Sequence, residues 1–95
     1  LTDICLSYVI QKLNYTEIFD FVKYAVNLRD SYNPECFMSL RLSPAERWKP
    51  SLEEYESEIS IYNDEHMMSV AKDQVRLARE YTETLFGVRI DSSLF

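Results

Sequence analysis

The chain has 95 residues, of which 46% are hydrophobic and 14% aromatic, with one glycine and three prolines. That is enough apolar material for one domain, too little Gly and Pro for a turn-rich β-sandwich, and too apolar a mix for a disordered segment. The formal net charge is −6. It falls wholly in residues 51–95, where ten acids face four bases, whereas residues 1–50 carry six of each. Autonomous binding to DNA, RNA or an anionic membrane is therefore disfavoured, since phosphate contact needs a basic face. No apolar run approaches the ~20 residues of a membrane span, and a cytoplasmic location is expected.

Taken in chain order, the punctuation reads as helical. Thr2 or Asp3 caps a first predicted helix through about Leu13, with Cys5, Leu6, Val9, Ile10 and Leu13 on one face. Asn14 and Thr16 are candidate caps for a second helix to about Arg29, whose apolar set (Ile18, Phe19, Phe21, Val22, Ala25, Val26, Leu28) leaves only a narrow polar strip. Such a helix is expected to be the most buried of the fold. Asn33-Pro34-Glu35 reads as the start of a short helix through Leu40, and Ser43-Pro44-Ala45-Glu46 as the start of another that contains Trp48. Pro50 ends that one, because a residue before proline avoids the helical region.

Ser51-x-x-Glu54 opens the next predicted helix. Its stripe (Leu52, Tyr55, Ile59, Tyr62, His66) does not continue into that of Met67, Val70, Ala71, Leu77, Ala78 and Tyr81. A straight helix would rotate the second stripe by roughly 110° from the first. A break near Asn63-Asp64 is therefore expected, with either residue capping the helix that follows and Gly87 stopping it; the alternative is one uninterrupted helix whose two stripes face different partners. Val88-Arg89-Ile90 alternates, as a short strand or extended tail would. The expected architecture is all-α: a single helical domain over residues 1–95, an irregular bundle of about four longer helices and one or two short ones, with residues 88–95 as the tail.

Motifs for chemistry are scarce. His66 is the one histidine and is expected to be a partly buried packing residue. Asp64, Glu65 and His66 are consecutive, which spreads their side chains around a helix instead of gathering them for a metal. Cys5 and Cys36 lack zinc spacing and read as two buried free thiols. One glycine leaves no phosphate loop or dinucleotide fingerprint. No catalytic residue, metal or cofactor is expected, and the chain reads as non-enzymatic.

The most specific feature is acidic. Between Glu53 and Glu65 lie six acids and no base. On a helical wheel Glu54, Glu58 and Glu65 form one strip within roughly 40°, bordered by Tyr55 and Tyr62, with Ile61 at its outer edge. Unrelieved like charge costs a few tenths of a kcal/mol per i, i+4 pair, and acids flanked by aromatic anchors resemble a docking surface. The functional expectation is an acidic helical protein of inhibitor or immunity type that masks a protein partner with a basic surface, a nucleic-acid-handling protein being one candidate, through Glu54, Tyr55, Glu58, Ile61, Tyr62 and Glu65. The alternative is a helical oligomerisation or scaffold module of a larger protein.

Overall fold

The computed structural model describes residues 3–45, 61–62 and 64–94. It overturns the all-α expectation. Strand β1 (Asp3–Ile10), helix α1 (Ile18–Tyr32), strand β2 (Phe37–Pro44), helix α2 (Glu65–Thr82) and strand β3 (Val88–Ser92) alternate along the chain. The three strands form one parallel sheet in the order β1-β2-β3.

Two of the predicted helices are strands. In β1, Ile4, Leu6, Tyr8 and Ile10 point to one face and Asp3, Cys5, Ser7 and Val9 to the other. In β2, Met38, Leu40, Leu42 and Pro44 alternate with Phe37, Ser39, Arg41 and Ser43. This is the period-2 pattern of a half-buried strand. The cap-like signals at Asn14 and Asn33 make turns. Asn33 Oδ1 accepts from the Glu35 amide (3.0 Å), and Asn33 O accepts from the Cys36 amide (3.0 Å). This Asx turn feeds β2 directly. Pro44 closes the β1–β2 ladder opposite Ile10, beyond the last β3 pair (Leu42 with Ser92), so its missing N–H costs the sheet nothing on that side. Asn14 does not cap α1. Its Oδ1 accepts from the Gln11 amide (2.8 Å), and its Nδ2 donates to Val9 O (2.9 Å). Its carbonyl accepts from the Tyr8 hydroxyl (2.7 Å), which ties the end of β1 to the turn.

Helix α1 begins after Glu17, which makes no side-chain cap. The exposed end is satisfied from across the fold: Gln74 Oε1 on α2 accepts from the Phe19 amide at 2.9 Å. Helix α2 starts where the break was expected. Asp64 is its N-cap, with Oδ1 accepting from the Met67 amide at 3.0 Å. Ile61 and Tyr62 are not helical, so no single helix runs through this point. Gly87, at φ +70°, lies in the turn between α2 and β3, and its carbonyl accepts from the Met38 amide at 2.7 Å. A Cβ at Gly87 would stand 3.2 Å from the Phe37 ring. Of the two readings for the segment after it, strand or extended tail, Val88–Ser92 takes the strand.

Both helices cover the same face of the sheet. Ile18, Val22, Ala25 and Val26 of α1 and Ala71, Val75 and Ala78 of α2 share one buried cluster with Ile10, Met38, Leu40, Leu42 and Ile90. Two right-handed crossovers advancing in one direction require this arrangement. Arg29 stitches the cluster's rim. Its guanidinium is 4% exposed, donates from Nη1 to Cys36 O (3.3 Å) and to Phe86 O, and pairs with Asp30 at 2.9 Å.

Helix α1 is less buried than its composition implies. Its flank toward α2 holds the Phe19–Tyr81 ring contact (5.7 Å) and the Gln74 bond. On the opposite flank Phe21, Tyr24, Leu28 and Tyr32 fall within a sector of roughly 80°. Of these Tyr24 is 63%, Leu28 49% and Tyr32 70% exposed. The corresponding outer flank of α2 is charged, with Lys72, Arg76, Arg79 and Glu83. The apolar flank thus lies on the β1 side, beside a strand edge that has no neighbour among the described residues.

Candidate ligand-binding face

On the other face of the sheet no described helix packs, and its side chains are mostly polar, with Val9 and Phe37 as apolar exceptions. The register sets its side chains in rungs across the strands: Cys5, Ser39 and Arg89 in one, Ser7, Arg41 and Asp91 in the next, then Val9 beside Ser43. Neighbouring strands are ~4.8 Å apart, so each rung presents adjacent polar groups to one point in space. The face forms a depression of about 790 Å³ toward the carboxyl ends of the strands, where Ser7, Arg41, Ser43, Arg89, Asp91 and Ser92 contribute to the lining. A smaller depression of about 320 Å³ lies beside it, bordered by Cys5, Ser39, Arg41 and Asp91.

The two arginines differ. Arg89 is held by its own strand: Asp91 Oδ1 accepts from its Nε at 3.3 Å and its Nη2 at 3.2 Å. Arg41, mid-way along the central strand and exposed, has no hydrogen-bond or ion-pair partner among the described residues. It presents five N–H donors in a fixed plane, flanked along β2 by Ser39 and Ser43. Tyr8 also borders the larger depression. Burial, and then the carboxylates of Glu17 and Asp20, push its phenol above the ordinary 10.0, so it stays neutral and keeps its bond to Asn14.

The residues singled out from sequence fare unevenly. Glu54, Tyr55 and Glu58 lie outside the described residues, as do Trp48 and the helix expected over 51–60. Tyr62 and Glu65 are exposed. Ile61 is not at the edge of a docking strip: it is 0% exposed and packs in the core. An interfacial anchor cannot also be a core residue, and the wheel that put Ile61 beside Glu58 and Glu65 required a helix that is absent at Ile61 and Tyr62. The inhibitor and immunity reading loses the acidic helical bundle it was argued from, and Glu54, Tyr55 and Glu58, on which it also rests, lie outside the described residues. His66 is exposed and not a packing residue. Cys36 is buried, but Cys5 is exposed on the open face. No three His, Cys, Asp or Glu side chains converge on a metal-sized site among the described residues. No described helix is long and apolar enough to cross a membrane.

The polar face was missed because it depends on strand register. Ser7, Arg41 and Asp91 are separated by 34 and 50 positions in sequence and meet only through the two parallel ladders. Its signal was the S-x-R-x-S alternation of residues 39–43, which is unusual in a central parallel strand, where both faces are commonly apolar. Compared with known protein families, curated proteins and solved structures, the chain matches none.

Proposed function

We propose that the chain is a ligand-binding sector of a singly wound α/β domain, with the open polar face of the sheet as the wall of a small-molecule site. The observation that carries this reading is the pairing of topology with polarity. Consecutive parallel strands lie side by side with both helices on one face, while the other face carries Cys5, Ser7, Ser39, Arg41, Arg89 and Asp91. Parallel sheets are ordinarily covered on both faces. In singly wound folds the inner face is enclosed by the curvature of the sheet, and ligands sit at the carboxyl ends of the strands. That is where the larger depression lies. The analogy is one of architecture, and the polar residues support a site independently of it.

The apolar flank of α1 supports the first half of the reading. Phe21, Tyr24, Leu28 and Tyr32, beside the edge of β1 that has no neighbour among the described residues, suit a further strand–helix unit packed as α2 packs on the other flank. This retains the alternative of a module within a larger protein, now as an α/β module.

The test is a small-molecule screen on ¹⁵N-labelled protein, read by amide shifts. Binding is expected to perturb Ser7, Arg41, Ser43 and Ser92 while leaving the outer faces of α1 and α2 unmoved. Shifts confined to the helix layer would overturn the proposal.

A further inference from the structure

We infer that Arg41 is the anchor for an anionic group, a carboxylate or phosphate, on the small molecule that this face takes. The inference rests on the ligand-face reading and adds the ligand's chemical class. Three observations carry it. First, Arg41 stands on the central strand between Ser7 of β1 and Asp91 of β3, where an apolar side chain is the usual occupant of a parallel sheet. Second, the carboxylate of its own rung is already engaged: Asp91 Oδ1 holds Arg89 through two bonds, while Arg41 has no partner among the described residues. Third, Ser7 and Ser43, whose side chains share the open face with Arg41, line the same depression.

A planar guanidinium can grip two oxygens of a carboxylate or phosphate at once, and neighbouring hydroxyls can donate to the remaining lone pairs. Neutral ligands would leave this fork unused. A basic protein surface is the wrong complement for it. The chain's net charge of −6 opposes anion approach at long range, so affinity has to come from these local donors and not from steering.

The experiment titrates ¹⁵N-labelled protein separately with inorganic phosphate and with succinate, at constant ionic strength set by chloride, and follows the arginine Nε–Hε and serine amide signals. Saturable shifts at Arg41, Ser7, Ser43 and Ser92 are expected with at least one of the two, and which one binds more tightly separates phosphate from carboxylate as the native group. Arg41→Gln is expected to weaken binding by about ten-fold or more, with Arg41→Lys intermediate because it keeps the charge without the planar fork. Arg76→Gln, on the outer flank of α2, is expected to leave it unchanged. Equal weakening by Arg76→Gln would reduce the effect to general charge screening and overturn the inference, as would absence of saturable shifts with both anions. If neutral molecules bind the open face equally well in wild type and Arg41→Gln, the ligand-face reading stands and the anion assignment fails. If nothing binds that face, both fail. Retained spectral dispersion in each variant verifies that the fold is intact.

Discussion

Replacing Arg29 with Met tests whether a buried cation holds the rim of the fold together. Arg29 is 4% exposed, and its Nη1 donates to the carbonyls of Cys36 and Phe86, which enter β2 and β3 respectively. Methionine keeps much of the volume and all of the helix propensity, so the loss isolates the hydrogen bonds. Each charge-assisted bond is worth about 1.5–3 kcal/mol, and a carbonyl left buried without a donor costs about 1–3 kcal/mol. Against this stands relief from desolvating the guanidinium, which can itself reach several kcal/mol. A net destabilisation of about 2–4 kcal/mol follows, a large share of the roughly 5–10 kcal/mol expected for a chain of this size. At about 4–8 °C per kcal/mol, the melting temperature should fall by at least about 8 °C. The assay is urea and thermal unfolding followed by far-ultraviolet circular dichroism. Arg76→Met provides the contrast. Its bond to Glu80 is a good 2.8 Å, but both side chains are more than half exposed, so the cost should be about 0.5 kcal/mol or less. If Arg29→Met costs no more than Arg76→Met, the guanidinium does not hold the rim and its polar contacts are dispensable.

Three further outcomes are expected. Ile61→Ala should cost about 2–5 kcal/mol in urea unfolding, the range for a fully buried aliphatic side chain, whereas a surface isoleucine would cost almost nothing. Cys5 should react with a thiol reagent in the folded protein while Cys36 reacts only on unfolding; a bulky adduct at Cys5, which borders the smaller depression with Arg41, should also obstruct the open face. Tyr8 should titrate above 10.0 by ultraviolet absorbance. Because its folded value is raised, the stability conferred by the neutral phenol is complete below the unfolded value of 10.0 and is lost as pH rises through the folded one, and Tyr8→Phe should remove that alkaline fall.

Legibility in the sequence divided by the kind of signal. Helix α2 was readable because its cap, Asp64, is local and its apolar stripe is long enough to fix the 3.6-residue period. Helix α1 was readable in existence but not in its start, since Gln74, 55 residues away, does the work of a cap. The strands read as helices because eight residues are too few to separate two periods. Cys5, Leu6, Val9 and Ile10 fit a helical face as well as Ile4, Leu6, Tyr8 and Ile10 fit a strand face. Asn33-Pro34 then lends false support, because the same side-chain chemistry that caps helices also builds turns. The sheet and its open face exist only where all three strands pair, so neither is visible in a helical reading of β1 and β2. The charge imbalance filled the place of a functional signal, although Ile61, the residue that made the acidic strip look like an interface, belongs to the core.

The most direct measurement is a structure of the protein with the tightest ligand that the screen yields. The ligand should lie on the open face over the Ser7–Arg41–Asp91 rung, at the carboxyl ends of the strands. A ligand seated on the helix layer, with that rung empty, would contradict the assignment of the sheet's polar face as the functional surface.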